Sequence, residues 1–217
     1  MRYALTMITD ANVDQYIRNL IPERDEVLKE MEDRAERERI PIIGPVVGTL
    51  LSQLARAINA KRIAELGSAI GYSTIWLARA IPQGGSVLYT DGSAANAKDA
   101  AGYFERARIS DRIEIRVGDA LESFSRLHGE FDFIFNDVDK EGYPDVYRQA
   151  AHRVRVGGFI VTDNALRRGR VADASVQSDA EIDAVREFNS LMSNDPRFQT
   201  TVLPLRDGVT VALRVRD

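Results

Sequence analysis

Apolar residues recur along the chain with two different spacings. Before residue 61 they return every three or four positions, which is typical of helices, and this pattern predicts helices at Asn12–Leu20, Glu23–Arg39 and Pro45–Ala60. From Lys61 onward, short apolar runs alternate with helical stretches. The runs predict strands at Arg62–Leu66, Ser86–Thr90, Arg112–Val117, Phe131–Asn136 and Gly158–Thr162.

Strand and helix alternate through this second region, which predicts a parallel sheet with helices on both faces. After a further predicted helix at Asp179–Ser193, two strands follow without a helix between them, at Gln199–Leu205 and Val209–Val215. The intervening Arg206–Gly208 suits a turn, so this last pair should form an antiparallel hairpin. The expected fold is therefore α/β, with a doubly wound, mostly parallel, seven-stranded sheet that ends in an antiparallel C-terminal hairpin.

Composition excludes several kinds of chemistry. The chain has 217 residues and no cysteine, which removes disulfides, thiolate metal sites and cysteine nucleophiles. With only His128 and His152 available, a metal would have to rest on oxygen ligands. The net charge of −4 provides no overall basic field for nucleic acid. No apolar segment is long enough to span a bilayer and no leader pattern occurs, so we expect a cytoplasmic protein with no membrane partner.

A glycine-containing loop joins the first predicted strand to a helix, in the run Glu65-Leu66-Gly67-Ser68-Ala69-Ile70-Gly71-Tyr72-Ser73. Glycines there let the backbone approach a ligand, and the helix N-terminus attracts an anion. Ala69 stands where a dinucleotide-binding loop would have its second glycine, so the spacing suits a carboxylate better than a pyrophosphate, with Ser73 as a hydroxyl donor. A tight turn that needs glycine only for steric reasons stays open as the alternative.

Two acidic residues end the next two strands. Asp91 could accept hydrogen bonds from both hydroxyls of a ribose, as the acid in this position does in nucleotide-binding folds. Asp119, followed by Ala120, could accept from an exocyclic amine of adenine. Each of the two segments could instead cap the helix that follows it.

Polar residues also follow two central strands. Asp137 comes directly after one predicted strand, and Asp163 and Asn164 come after the next. Because parallel strands end at the same edge of a sheet, these side chains should converge. Two carboxylates and an amide are hard oxygen donors for Mg²⁺, Mn²⁺ or Ca²⁺, and Lys140 could serve as a base in the same cleft. The alternative is that each acid is a helix cap or a surface charge.

Taken together, these motifs resemble the metal-dependent O-methyltransferase family of catechol and caffeoyl-CoA methyltransferases, which use S-adenosylmethionine (SAM) and have the class I SAM methyltransferase fold. The segments that carry the resemblance are residues 65–73, Asp137–Lys140 with Tyr143, and Thr162–Asn164. The likeness extends from about Ile40 to the final strand. Asn136 departs from the pattern, because an apolar residue usually precedes the metal-binding aspartate.

The resemblance implies a role for each motif. The SAM-binding residues would be Ile43, Glu65, Gly67, Ser68, Gly71, Ser73, Asp91, Asp119 and Ala120. The metal ligands would be Asp137, Asp163 and Asn164, with Mg²⁺ as the first choice and Mn²⁺ or Ca²⁺ as alternatives. Lys140 would be the catalytic base, acting together with Asp137.

The expected reaction is transfer of a methyl group from SAM to a metal-bound hydroxyl of a small catechol-like or phenolic acceptor. The alternative acceptor is 5-hydroxyuridine in tRNA, because Arg39–Ile42 and the loop Leu166–Asp173 resemble a bacterial branch of the family that methylates it. The basic cluster Arg167, Arg168 and Arg170, just after Asp163–Asn164, could meet a phosphate of such an acceptor. A nicotinamide-dependent oxidoreductase and a SAM-binding protein without catalysis are the competing classes. We expect a homodimer, with residues 1–40 as an N-terminal helical extension on the dimer and substrate side and residues 41–217 as the methyltransferase domain.

Overall fold

The structure is a computed structural model that describes residues 9–176 and 179–217. The strands in the described part of the chain are β1 Arg62–Leu66, β2 Ser86–Asp91, β3 Ile113–Val117, β4 Phe131–Asn136, β5 Val154–Thr162, β6 Phe198–Leu203 and β7 Val209–Arg214. They form one sheet in the order β3-β2-β1-β4-β5-β7-β6. The strands β1 to β5 pair in parallel, and β7 is antiparallel to both of its neighbours. The predicted sheet and its terminal hairpin are confirmed.

Helices cover both faces of this sheet. They are α1 Ala11–Leu20, α2 Glu26–Glu38, α3 Gly44–Ala57, α4 Tyr72–Ala80, α5 Ala94–Arg106, α6 Ala120–Ser125, α7 Tyr143–Ala150 and α8 Ala180–Asn194. Alternate side chains of a strand point to opposite faces, and β4 shows this directly. Phe133 and Phe135 join the hydrophobic cluster under α2 to α5, whereas Ile134 joins the cluster under α6 to α8.

Several element boundaries differ from the prediction by a few residues, and two of these differences have a visible local cause. The helix α3 ends at Ala57 rather than Ala60, because Asn59 adopts a left-handed φ of 51° and the N–H of Ala60 donates to the carbonyl of Ala55 at 2.9 Å. The strand β5 begins at Val154 rather than Gly158. Its pairing with β4 shifts register, so the glycines at this point mark a bulge instead of the start of the strand.

The N-terminal helices divide their apolar residues between the core and the surface. Leu28, Met31 and Ala35 of α2 are buried, and Leu28 and Met31 belong to the same hydrophobic cluster as α3. The apolar stripe of α2 is therefore covered within the chain. The homodimer and the division of the chain at residue 40 stay predictions. None of the described helices is long and apolar enough to cross a membrane.

Met31→Ala should destabilise the protein by about 2–4 kcal/mol, because the side chain is 0% exposed and its loss leaves a cavity in the core. Leu20→Ala, at a position that is 64% exposed, is the matched control and should change the free energy of unfolding by roughly 0.5 kcal/mol or less. Urea denaturation followed by circular dichroism measures both. Equal losses in the free energy of unfolding for Met31→Ala and Leu20→Ala would contradict the placement of α2 in the core.

Candidate active site

A single cleft of about 2430 Å³ lies along the carboxyl edge of the sheet. The predicted site residues that line it are Ile43, Gly67, Ser68, Ser73, Asp91, Asp119, Ala120, Asp137, Lys140, Asp163 and Asn164. Glu65 and Gly71 lie behind this lining layer. The topology thus brings to one place residues that are up to 121 positions apart, from Ile43 to Asn164 (164 − 43).

The loop after β1 is held tightly against its neighbours. Gly67 has a φ of +81°, and a Cβ atom on it would lie 2.5 Å from the carbonyl oxygen of Asp137, so only glycine fits. Its N–H donates to the Thr90 hydroxyl at 3.2 Å. Gly71 has a φ of +85° and abuts the ring of Phe104. Steric crowding and a positive φ therefore require glycine at both positions, as the tight-turn alternative expects. Gly67 also lines the cleft.

Glu65 is a buried carboxyl beneath this loop. It accepts a hydrogen bond from the Thr74 hydroxyl, and its Oε1 has no hydrogen-bond partner among the described residues. Burial raises the pKa of Glu65 to about 7, although the neighbouring hydroxyls of Ser73, Thr74 and Ser68 oppose the shift. A buried acceptor left unpaired is costly, so this position fits a ligand that brings a donor or a positive charge.

The acids at the end of β2 and just after β3 have different local roles. One oxygen of Asp91 accepts from the N–H of Ala69 at 2.9 Å, and the other accepts from Ser93 N–H at 2.8 Å and Asn96 Nδ2 at 3.0 Å. Ser93, not Asp91, caps α5. Asp119 does cap α6 through its side chain, as the alternative interpretation held. Asp91 thus joins the glycine loop to the start of α5 while still facing the cleft.

Three charged groups meet beyond β4 and β5. Lys140 Nζ lies 3.0 Å from Asp137 Oδ1 and 3.2 Å from the carbonyl oxygen of Val138. The Asp163 side chain is nearly fully buried, and its Oδ1 has no hydrogen-bond partner among the described residues. Burial, followed by repulsion from Asp137, raises the pKa of Asp163 to about 7. Burial likewise raises the pKa of Asp137, against the attraction of Lys140.

This arrangement suits a cation. The unpaired oxygen of Asp163 lies close enough to Asp137 for the two carboxylates to repel each other, and Asn164, whose amide oxygen is a third hard donor, lines the same cleft. Within residues 9–176 and 179–217, no three side chains of the His, Cys, Asp and Glu types form a group that could hold a metal. A metal here would therefore depend on Asn164 as well as on the two acids.

Comparison with known proteins places this chain in a family. The family model described as O-methyltransferase matches residues 18–215. The chain is 32% identical to the catechol O-methyltransferase of Niastella koreensis, over 93% of this chain and 96% of that protein. It is also 32% identical to a caffeoyl-CoA O-methyltransferase of Populus trichocarpa, over 93% of this chain and 88% of that protein. The chain belongs to the O-methyltransferase family.

A solved structure agrees with this membership. The O-methyltransferase from Bacillus cereus in complex with SAH, the product that SAM leaves after methyl transfer, superposes with a TM-score of 0.84 at 34% identity. The match covers 94% of this chain and 97% of that one. The protein is a SAM-dependent O-methyltransferase with the class I SAM methyltransferase fold.

Sequence reasoning missed two features of this O-methyltransferase. Tyr72 donates to Glu32 at 2.6 Å and Arg24 pairs with Glu32 at 2.7 Å, which fastens α2 to the start of α4 beside the cleft. Arg206, interpreted only as a turn residue, lies with Nη1 3.9 Å from Asp163 Oδ2. The Tyr72–Glu32 and Arg206–Asp163 contacts have no signal in the local sequence, because each joins segments that are distant along the chain. The left-handed φ of Arg206 becomes visible only in the folded hairpin.

Glu65→Gln should flatten the dependence of stability on pH when SAM is absent. The pKa of Glu65 is higher in the folded chain, at about 7, than its usual value of 4.5. Its contribution to stability is therefore present below the unfolded pKa and is lost as the pH rises through about 7. The variant should gain melting temperature relative to the wild type at about pH 8 and lose that advantage at about pH 5. Thermal unfolding across this range tests the expectation, and parallel curves for the two proteins would contradict it.

Proposed function

We propose that this enzyme transfers a methyl group from SAM to a hydroxyl of a small catechol-like or phenolic acceptor, with the help of a divalent cation. One observation carries the proposal: Lys140, hydrogen-bonded to Asp137, shares a cleft with the unpaired buried oxygen of Asp163 and with the glycine loop. The relatives named for catechol and caffeoyl-CoA methylation support this acceptor class.

The donor would occupy the half of the cleft beside β1, β2 and β3. We assign its methionine part to the glycine loop and the residues around it, which are Ile43, Glu65, Gly67, Ser68, Gly71 and Ser73. Asp91 would bind the ribose, since its carboxylate faces the cleft and is fixed in place by three hydrogen bonds. Asp119 and Ala120, at the start of α6, would flank the adenine.

The other half of the cleft would hold the cation and the acceptor. Asp137, Asp163 and Asn164 would bind the metal, with Mg²⁺ as the first choice and Mn²⁺ or Ca²⁺ as alternatives. Such a cation, when bound, lowers the pKa of a neighbouring hydroxyl. The unpaired Asp163 oxygen and the hard donor set favour this assignment over a purely structural role for the two acids.

Lys140 would act as the general base. Its Nζ is held by Asp137 and by the carbonyl of Val138, and the residue lines the cleft. In its deprotonated form the amine would take the proton of the acceptor hydroxyl, and the acceptor oxygen would form its bond to the methyl carbon as the bond from carbon to sulfur breaks. The products are the methylated acceptor, neutral SAH and a proton on Lys140. The cleft contributes mainly by holding the two reactants at attack distance.

The tRNA alternative receives less support from the described contacts. Arg167 is ion-paired with Glu181, and Arg170 pairs with Asp179 at 2.7 Å. Two of the three arginines that were expected to meet phosphate are therefore already partnered by carboxylates of the same chain. The small acceptor is the better match to this surface.

Methyl transfer should require a divalent cation. Labelled SAM can be incubated with catechols, hydroxycinnamoyl esters and unmodified tRNA, with and without EDTA. We expect label in the phenolic acceptors, loss of transfer in EDTA and recovery with Mg²⁺ or Mn²⁺. Full activity in excess EDTA would contradict the metal-assisted mechanism, and transfer to tRNA alone would overturn the acceptor class.

Asp91→Ala should weaken SAM binding by roughly 10-fold to 150-fold, which corresponds to the loss of about 1.5–3 kcal/mol for hydrogen bonds to a charged group. Isothermal titration calorimetry with SAM measures the change. Asp111→Ala, at an exposed position in the turn before β3 that does not line the cleft, is the matched control and should bind SAM as the wild type does. Unchanged affinity in Asp91→Ala would remove this residue from the site.

A further inference from the structure

The turn that carries Arg206 is fastened to the segment that follows the proposed metal ligands. The N–H groups of Ala165 and Leu166 donate to the carbonyls of Gly208 and Asp207, both at 2.9 Å. A Cβ atom on Gly208 would lie 2.5 Å from Leu166 Cγ, so the two segments are in direct contact. Because of these contacts, the backbone of Arg206 has a fixed position relative to Asp163.

Arg206 holds a backbone conformation that glycine would adopt at lower cost. Its φ is +52°, in the left-handed region where residues with a side chain are strained. Its side chain extends across the cleft toward Gly44, because a Cβ atom on Gly44 would lie 4.0 Å from Arg206 Nε and would meet nothing nearer. The guanidinium therefore lies between Asp163 and the chain that leads into α3. A strained residue placed in a ligand cleft points to a functional role.

The guanidinium of Arg206 makes no hydrogen bond with any residue in the described ranges. The nearest carboxylate oxygen, Asp163 Oδ2, is 3.9 Å from Nη1, which is beyond hydrogen-bond distance. The Arg206 side chain is 24% exposed, so it is accessible from the cleft. Its planar fork of five donors matches a carboxylate that binds through both oxygens.

The other arginines of the cleft differ from Arg206 in one of two ways. Those hydrogen-bonded to a carboxylate are Arg18 with Asp14, Arg24 with Glu32, Arg167 with Glu181, and Arg170 with Asp179. Arg39 and Arg168 have no side-chain partner among the described residues, but both are exposed on the rim. Arg206 combines partial burial with free donors beside Asp163. A cation held by Asp137 and Asp163 would neutralise both carboxylates and leave the charge of Arg206 unbalanced.

We propose that Arg206 binds a carboxylate of the methyl acceptor, so that the enzyme selects dihydroxy acids over neutral catechols. The inference rests on the proposed function, because it places the acceptor hydroxyls beside Asp163. Arg206 is then a specificity-determining residue: it orients the acceptor by its acidic group while Lys140 takes the proton. The acceptor class is a small aromatic acid with its carboxylate near the two hydroxyls.

The test compares acids with their neutral esters. Values of kcat/KM are measured for 2,3- and 3,4-dihydroxybenzoate and for the methyl ester of each, with the wild type and Arg206→Gly. Glycine suits the left-handed backbone, so this variant should fold. Arg108→Gly is the matched control, since Arg108 also has a positive φ, of 58°, and is exposed outside the cleft. Calorimetric binding of the same acids and esters in the presence of SAH and Mg²⁺ provides a readout that does not require turnover.

We expect the wild type to prefer at least one acid over its ester, and Arg206→Gly to reduce that preference by roughly 10-fold to 100-fold, the scale of a charged hydrogen-bond pair. Activity on the esters and the behaviour of Arg108→Gly should stay close to the wild type. Arg206→Lys, which keeps the charge without the fork, should fall between the two.

Two results would overturn the proposal. One is a wild type that binds acid and ester equally. The other is an Arg206→Gly variant in which kcat/KM falls by the same factor for the acids and for their esters. That result is expected if Arg206 only balances the charge of Asp163. If instead the proposed function is wrong, neither the acids nor the esters would be methylated by the wild type or by any variant. The calorimetric comparison of acid with ester would still decide the role of Arg206 in that case.

Discussion

The close backbone contact between Gly67 and Asp137 is the constraint on which the rest of the site depends. The N–H of Asp137 donates to the carbonyl of Leu66 at 2.8 Å, and the Asp137 carbonyl leaves no room for a side chain on Gly67. This contact joins the glycine loop after β1 to the segment after β4 that carries Lys140. In the proposed mechanism it sets the distance between the methyl donor and the base. A larger residue at position 67 would separate the two halves of the cleft.

The electrostatics of the cleft follow from the burial of acids at this edge. Glu65 and Asp163 are both held where burial raises their pKa to about 7, and each has an oxygen without a partner among the described residues. Such positions are costly in an empty protein and become favourable when a positively charged ligand arrives. These two carboxyls lower the stability of the ligand-free protein. In the proposed mechanism they raise its affinity for ligands, which are SAM at Glu65 and a cation at Asp163.

The sequence predicts the sheet and most of the cleft because both depend on local periodicity. Short apolar runs between helices predicted the strands, and strands that end at one edge predicted that Asp137 and Asp163 would meet. Contacts between distant segments are not encoded in this way. The burial of Met31 requires α2 to fold back on the core, and the approach of Arg206 to Asp163 requires the hairpin to pack on the segment after β5. The resemblance to a known family added the roles, which no spacing alone could supply.

Single-turnover methyl transfer by Lys140→Met tests the central claim most directly. The reaction uses labelled SAM, a catechol acceptor and saturating Mg²⁺, and is followed across a range of pH. The account predicts a rate lower by roughly 10²-fold to 10⁴-fold near neutral pH, the usual contribution of a general base. It also predicts partial recovery at higher pH, where the acceptor loses its proton to solvent, and unchanged binding of SAM. A rate equal to that of the wild type at neutral pH would contradict the account.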